Sequence, residues 1–317
     1  MDPLSAELKD KALEGGFDLV GIASAGPSHT GAYLRHWFDD GRHGGMDWMA
    51  RTAEVREDPR KVLPGCRSVI AVAMSYSTDR PPSSDFSHRA DGRVWISRYA
   101  WGRDYHRVMK KGLVRLGRWL ERQRPGTAWR ACVDTVPVLE REWAARAGLG
   151  WIGKNTSLLN RRLGSEVFLG VLLTDVELDA DKPVTDHCGR CTACLDACPT
   201  QAIIAPRLLD ARRCIAYLTI EHRGPVEPGF HTDMGTMVAG CDICQEVCPW
   251  TIKAPVGLHP EFEAADHRYR PRLVDLENLD EAAFREWRSG SPLGRIPHDQ
   301  FRRSLAIARA NLTGDLS

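Results

Sequence analysis

Along the first 180 residues, apolar positions recur in two rhythms. Residues 3–14 and 30–41 predict helices. So does 104–124, where Tyr105, Val108, Met109, Leu113, Leu116 and Leu120 line one face and basic side chains the other. Between them stand short apolar runs: FDLVGIA (17–23), CRSVIAVAMSY (66–76), AWRACVD (128–134) and SEVFLGVLLTDV (165–176). Their length and β-branched content predict strands. DPRKVLPG breaks structure, and the Ser/Pro/Asp-rich stretch 77–93 predicts a surface loop. VLEREWAARAGLG (138–150) predicts a helix stopped by glycine. Strands alternating with helices predict an α/β domain over 1–180. The pattern changes at DKPVTDHC (181–188), which predicts a boundary, with a cysteine-rich module over 181–255 and a short helical segment over 256–317. The chain as a whole then reads as α+β, with an α/β front.

Composition narrows the picture. With 317 residues and 43% hydrophobic side chains the chain is long enough for about two domains, and wholesale disorder is excluded. No run approaches the ~18 apolar residues of a membrane span. The opening MDPLSAELKDKALEGG lacks the pattern of a secretory signal, so the chain is expected in the cytoplasm, where thiols stay reduced. Ten cysteines there suggest metal chemistry before disulfides. The net charge of +1 hides a local excess. Residues 88–130 hold twelve basic side chains against Asp91, Asp104 and Glu121, which suits either a polyanion or an exposed helix face.

The most specific signal is Cys188-x2-Cys191-x2-Cys194-x3-Cys198-Pro199, followed by Cys214 and then Cys241-x2-Cys244-x3-Cys248-Pro249. This is the bacterial two-cluster ferredoxin pattern, in which the fourth cysteine of each run serves the other cluster. Applied here, cluster one takes Cys188, Cys191, Cys194 and Cys248. Cluster two takes Cys198, Cys214, Cys241 and Cys244, with Cys214 standing in from far upstream. Zinc is a poorer fit, because four cysteines in eleven residues overfill a tetrahedral site. Cys66 and Cys132 lie on apolar strands and read as buried free thiols.

Two such clusters relay single electrons without saying what is reduced. The large front domain therefore predicts a second cofactor or substrate site. Candidates concentrate in SRYAWGRDYH (97–106), RACVDTVPVLERE (130–142) and GLGWIGKNTSLLN (148–160). Asp134 ends a predicted strand, where α/β sheets place ligands. Its apolar neighbours predict that it keeps its proton, as a general acid requires. Equally, it could cap the helix starting near Pro137. The glycines at 148, 150 and 153 could admit a large ligand close to the backbone.

Together, SRYAWGRDYH, VDTVPVLER, AGLGWIGKNTSLLN, the C-x2-C-x2-C-x3-CPT run, DARRCIAYLTIEHRG and GCDICQEVCPW resemble the epoxyqueuosine reductase family, over most of 17–312. Members usually carry a further C-terminal helical, HEAT-like region; this chain stops near where it would begin. The resemblance implies a cobalamin held between the α/β domain and the ferredoxin-like module, without its lower base as ligand. Of the histidine motif D-x-H-x-x-G, only Asp104-Tyr105-His106 is present. It implies Asp134 as proton donor and cofactor contact. Arg56, Trp151, Lys154, Asn155, Ser157, Leu158 and Asp242 are the further corrinoid contacts it implies. The implied reaction reduces epoxyqueuosine to queuosine in a tRNA anticodon loop, with electrons from an external low-potential donor. The basic segment would then face the RNA, and the enzyme is expected to act as a monomer. The competing readings are a corrinoid reductive dehalogenase and a pure electron-transfer module.

Overall fold

A computed structural model describes residues 2–85 and 91–314. The strands are β1 Leu19–Ser24, β2 Ser68–Ser75, β3 Trp95–Ile96, β4 Trp129–Cys132, β5 Trp151–Ile152, β6 Leu158–Leu159, β7 Val167–Thr174, β8 Ile203–Ala205, β9 Leu208–Leu209 and β10 Met237–Ala239. The main sheet has the order β1-β2-β7-β4, and every neighbouring pair in it is antiparallel. This corrects the expected α/β front: it is α+β, and the rule that places ligands at the carboxyl ends of parallel strands does not apply to Asp134.

The reason the strands misled is their burial. All eight residues of β2 are buried. Ile70, Val72 and Met74 face a core made with the helices Pro3–Glu14 and Tyr105–Gln123. Val69, Ala71 and Ala73 face a second core with Val138, Trp143 and Ala144. Helices thus cover both faces, and a strand buried on both faces loses its polar alternation whichever way its neighbours run.

The helix Tyr105–Gln123 starts because Asp104 caps it, its carboxylate accepting from His106 N at 3.1 Å. Met109, Leu113, Leu116 and Leu120 are its buried stripe, each contributing roughly 1.5–3 kcal/mol by leaving water. Two glycines let it lie close. A Cβ at Gly112 would meet the Phe17 ring at 2.7 Å, and one at Gly117 the Trp129 ring at 2.5 Å.

The expected boundaries at 181 and 256 do not separate cores. β3 pairs in parallel with β10, and one apolar core joins Trp95, Ile96 and Trp101 to Ile215, Leu218 and Met237 and to Leu273, Phe284, Phe301 and Leu305. The C-terminal helices Glu281–Trp287 and His298–Thr313 are therefore integral to the fold rather than an appendage. Of the expected loop 77–93, residues 86–90 lie outside the described residues. Among the described residues no helix is long and apolar enough to cross a membrane.

Candidate functional site

The motif cysteines lie in two neighbouring groups. Cys188, Cys191, Cys194 and Cys248 line one cavity of about 250 Å³, with Trp250, His187, Lys154 and Lys253 around it. Cys191 is exposed. Trp151 Nε1 lies 3.4 Å from Cys188 Sγ. Cys214, Cys241 and Cys244 are half-buried near one another. Burial raises each thiol, and their mutual charge, with Cys198 among the neighbours, adds to the rise. Thiols dominate both groups, which suits the donor set of iron–sulfur centres. Cys66 and Cys132 are buried, and burial pushes their thiols up to about 11 and about 12, which leaves them inert.

A second cavity, of about 260 Å³, opens between the sheet and the cysteine-rich segment. Its walls include Tyr76, Ser97, Tyr99, Arg141, Ser157 and Leu158, and Cys241 and Gln245 stand on the facing side. The second thiol group thus borders this cleft directly. Hydroxyls, an amide and a guanidinium among apolar side chains suit a ring with a polar, amide-rich rim.

Only part of the expected contact set is found here. Ser157 and Leu158 line the cleft. Lys154 instead donates to the carbonyls of Gly189 and Cys191, at 2.8 Å each, and Asn155 Nδ2 donates to Cys244 O at 3.1 Å. Trp151 and Lys154 therefore frame the first thiol group, and Asn155, on the wall of the same cavity, reaches across to Cys244 of the second. Asp242 is almost fully buried, and its carboxylate accepts from Trp95 Nε1 (2.9 Å), Ser97 Oγ (2.5 Å) and Arg98 N (2.9 Å). It ties the cysteine-rich segment to β3. Arg56 lies beside the acid described next, not in the cleft wall. The glycines serve folding rather than a ligand: a Cβ at Gly150 would lie 2.0 Å from Leu159 O in its own hairpin.

Asp134 follows β4 with φ 55°, a left-handed conformation that costs a non-glycine residue about 1–2 kcal/mol. Its backbone N–H donates to Glu140 Oε1 at 2.8 Å. It does not cap the following helix, which starts at Glu140 with no side-chain cap. Its carboxylate instead meets His106 Nε2 at 3.1 Å, and the other ring nitrogen, Nδ1, meets Asp104 at 2.7 Å. Both ring nitrogens thus face carboxyl groups, an arrangement that favours the doubly protonated ring when those groups are ionised. The hydrogen bond from His106 holds Asp134 below the usual carboxylate range, helped by the charges of Arg295 and Arg141. Burial works against a charged His106, but its bonds to Asp134 and Asp104 outweigh it and raise the imidazole. The expectation that Asp134 keeps its own proton is therefore corrected. The proton resides on the pair, nearer the histidine. Tyr105 stacks on His106, ring centres 4.0 Å apart, and on Phe168 at 4.2 Å, which fixes the imidazole plane.

Three further groups complete this corner. Burial pushes Glu140 up to about 7. Arg295 stands 3.7 Å from Asp134 and 3.0 Å from Glu221. Tyr99 and Arg141 belong to the cleft wall, and the charge of Asp134 acts on the one and is acted on by the other, so the carboxylate lies within electrostatic reach of that wall. The segments 97–106 and 130–142 had pointed here. Arg295 had no signal, since one arginine in a charge-balanced segment stands out only once the chain is folded.

The basic excess is mostly solvent-facing. Arg107, Lys110, Lys111, Arg115, Arg118 and Arg122 are exposed along the helix that carries His106 at its start. Arg98 does not contribute: it is buried, 3.0 Å from Glu166 and 3.7 Å from Glu246. Arg89 lies outside the described residues.

The chain is similar to known proteins. Residues 56–135 match the family described as epoxyqueuosine reductase QueG, DUF1730, and residues 187–251 match the 4Fe-4S double cluster binding domain. The chain is 44% identical to an epoxyqueuosine reductase from Synechococcus sp., covering 99% of this chain and 97% of that protein. It is 43% identical to one from Vibrio cholerae, over 97% of this chain and 83% of the other. Among solved structures, an epoxyqueuosine reductase with an epoxyqueuosine-modified tRNA-Tyr stem loop superposes with a TM-score of 0.89 at 32% identity, covering 98% of this chain and 81% of that one.

Proposed function

The chain belongs to the epoxyqueuosine reductase family, and from that premise we propose that it reduces an epoxyqueuosine base in the anticodon loop of tRNA to queuosine. The overall change consumes two electrons and two protons and releases the epoxide oxygen as water, leaving the ring alkene. When bound, a reduced corrinoid in the cleft supplies a nucleophilic metal for the epoxide carbon, and two [4Fe–4S] clusters on the eight cysteines supply it with single electrons.

This chain's own residues do the rest. Ser157, Leu158, Tyr99 and Arg141 shape the cleft against the second thiol group. The fit supports a corrinoid there because Cys241, a cluster-two ligand in this reading, forms part of the same wall. Asp134 presents a half-exposed carboxylate beside that cleft and hands a proton to the opening epoxide oxygen. His106 holds that proton in reserve, and Asp104 orients the imidazole as the outer carboxylate of a carboxylate–imidazole–carboxylate chain. Such an arrangement keeps a proton available at neutral pH while leaving the delivering carboxyl strongly acidic. The exposed basic face of the helix Tyr105–Gln123 runs away from the same point and suits the phosphates of an RNA loop whose modified base has been splayed out.

The observation that carries this reading is the placement of the Asp134–His106 pair beside a cleft walled by a cluster cysteine. The test is anaerobic turnover of an epoxyqueuosine-bearing stem loop by protein reconstituted with iron, sulfide and cobalamin, with the nucleosides resolved by mass spectrometry. Queuosine should form. Asp134→Asn should abolish its formation while the corrinoid absorption of the bound protein persists. No conversion by the wild type would remove the proposed reaction, and full activity of the variant would remove the acid role.

A further inference from the structure

One aromatic surface in this corner has no part in the chemistry above. Trp48 sits on the short helix Asp47–Ala50, in the long connection between β1 and β2, and 37% of it is exposed. Two guanidiniums converge on its ring, that of Arg56 at 5.4 Å from the ring centre and that of Arg295 at 5.6 Å. Both distances lie within the roughly 6 Å over which a cation is drawn to an aromatic face. The two arginines arrive from distant parts of the chain and are held differently. Arg56 is buried, with Nε donating to Thr52 Oγ1 at 3.0 Å. Arg295 is about 41% exposed at its side chain and is anchored by Glu221 at 3.0 Å.

Both cations also bear on the acid. Arg295 stands 3.7 Å from Asp134 Oδ2, the oxygen that His106 meets, and the charges of Asp134 and Glu140 act on Arg56. Trp48 is thereby locked, through two independent ties, into the corner that holds the proton donor. More than a third of Trp48 faces solvent beside a half-exposed carboxylate.

We propose that Trp48 is the platform on which an extruded base of the RNA loop stacks, with Arg56 and Arg295 fixing the ring beside Asp134. This rests on the reading that the substrate is a modified base in an RNA loop. A base that leaves its neighbours loses stacking on both faces, and an aromatic side chain restores it without hydrogen bonds or sequence readout. Trp48 is then a specificity element that acts in substrate binding, distinct from the proton transfer. Its contribution is not electrostatic, so it should persist at high salt, where phosphate contacts fade.

The experiment compares wild type, Trp48→Phe and Trp48→Leu as reconstituted holoenzyme. Turnover is measured on the epoxyqueuosine stem loop, and stem-loop affinity is measured separately by fluorescence anisotropy at low and high salt. Trp48→Leu should raise KM and Kd at least about tenfold, with kcat within about twofold, and the ratio to wild type should hold at both salt concentrations. Trp48→Phe should recover most of the loss, because it restores a π face in less volume. Unchanged melting temperature and corrinoid spectrum show that the fold and cleft are intact. Equal impairment by Phe and Leu, or an affinity identical to wild type in Trp48→Leu, overturns the proposal. If the wild type converts no substrate, the proposed reaction falls, but the anisotropy series still decides whether Trp48 grips the RNA.

Discussion

Replacing His106 with Asn isolates the pair on which proton delivery depends. In the wild type the imidazole is raised above its ordinary value by its two carboxylate partners, and Asp134 is lowered. The pair therefore holds one proton through neutrality and loses it as pH rises through the raised His106 value. Wild-type turnover should accordingly hold through neutral pH and decline on the alkaline side. Without the imidazolium, the last proton must sit on Asp134 itself. Its value returns upward toward that of an ordinary carboxyl, which still lies well below neutral pH. At pH 7 most of the pair's proton is then lost, so a fall in kcat of roughly 100-fold at neutral pH is expected, within the range of general-acid effects. The loss should shrink as pH falls, because the alkaline limb moves to lower pH. Single-turnover kinetics on pre-reduced holoenzyme keep electron supply out of the measured rate, and KM for the stem loop should be nearly unchanged. An unshifted alkaline limb in His106→Asn would show that the histidine does not hold the transferred proton.

Two further outcomes follow from the same geometry. Cys248→Ser should remove the signal of cluster one and about half of the roughly eight irons expected of two cubane clusters while sparing cluster two, although Cys248 belongs to the second motif; electron paramagnetic resonance of the reduced protein checks this, and loss of cluster two instead would refute the exchange of ligands. Lys110→Glu combined with Lys111→Glu, both exposed on the basic helix face, should weaken stem-loop binding and lower the slope of log affinity against log salt by roughly two, about one per phosphate contact. An unchanged salt slope would mean that this face does not meet the backbone.

The parts of the molecule legible in the sequence were those governed by local rules. The helix over Tyr105–Gln123, its basic face and the buried strand Ser68–Ser75 followed from apolar spacing. The cavity shared by Cys188, Cys191, Cys194 and Cys248 was legible from motif spacing, because three thiolates on a short turn can face one cubane while the fourth points to a neighbour. Strand direction was not legible. A strand covered on both faces shows no alternation, and nothing in its residues says which way its neighbours run. The ionisation of Asp134 was misread for a related reason. Its sequence neighbours are apolar, yet the group that sets its proton affinity lies 28 positions upstream on another element. Arg295 and Trp48 are the extreme case: 247 positions separate them, and their contact exists only because the C-terminal segment shares a core with β3 and β10.

That shared core also bears on the order in which electrons would travel. The first cysteine group opens to solvent, with Cys191 exposed and Lys253 and Trp250 at its rim. The second is half-buried, and its Cys241 forms part of the cleft wall. In the proposed reading an external donor would approach the first group, and a corrinoid in the cleft would lie against the second. Asp242, next to Cys241, is fixed by Trp95, Ser97 and the Arg98 backbone, and β3 and β10 pair beside it. The distance from the second group to the cleft is thus set by rigid backbone pairing rather than by a linker. A proton pair on one side of the cleft and an electron relay on the other can act on one bound substrate only if that spacing is constant. The antiparallel front and the cysteine-rich segment are accordingly one mechanical unit, although their sequences read as two.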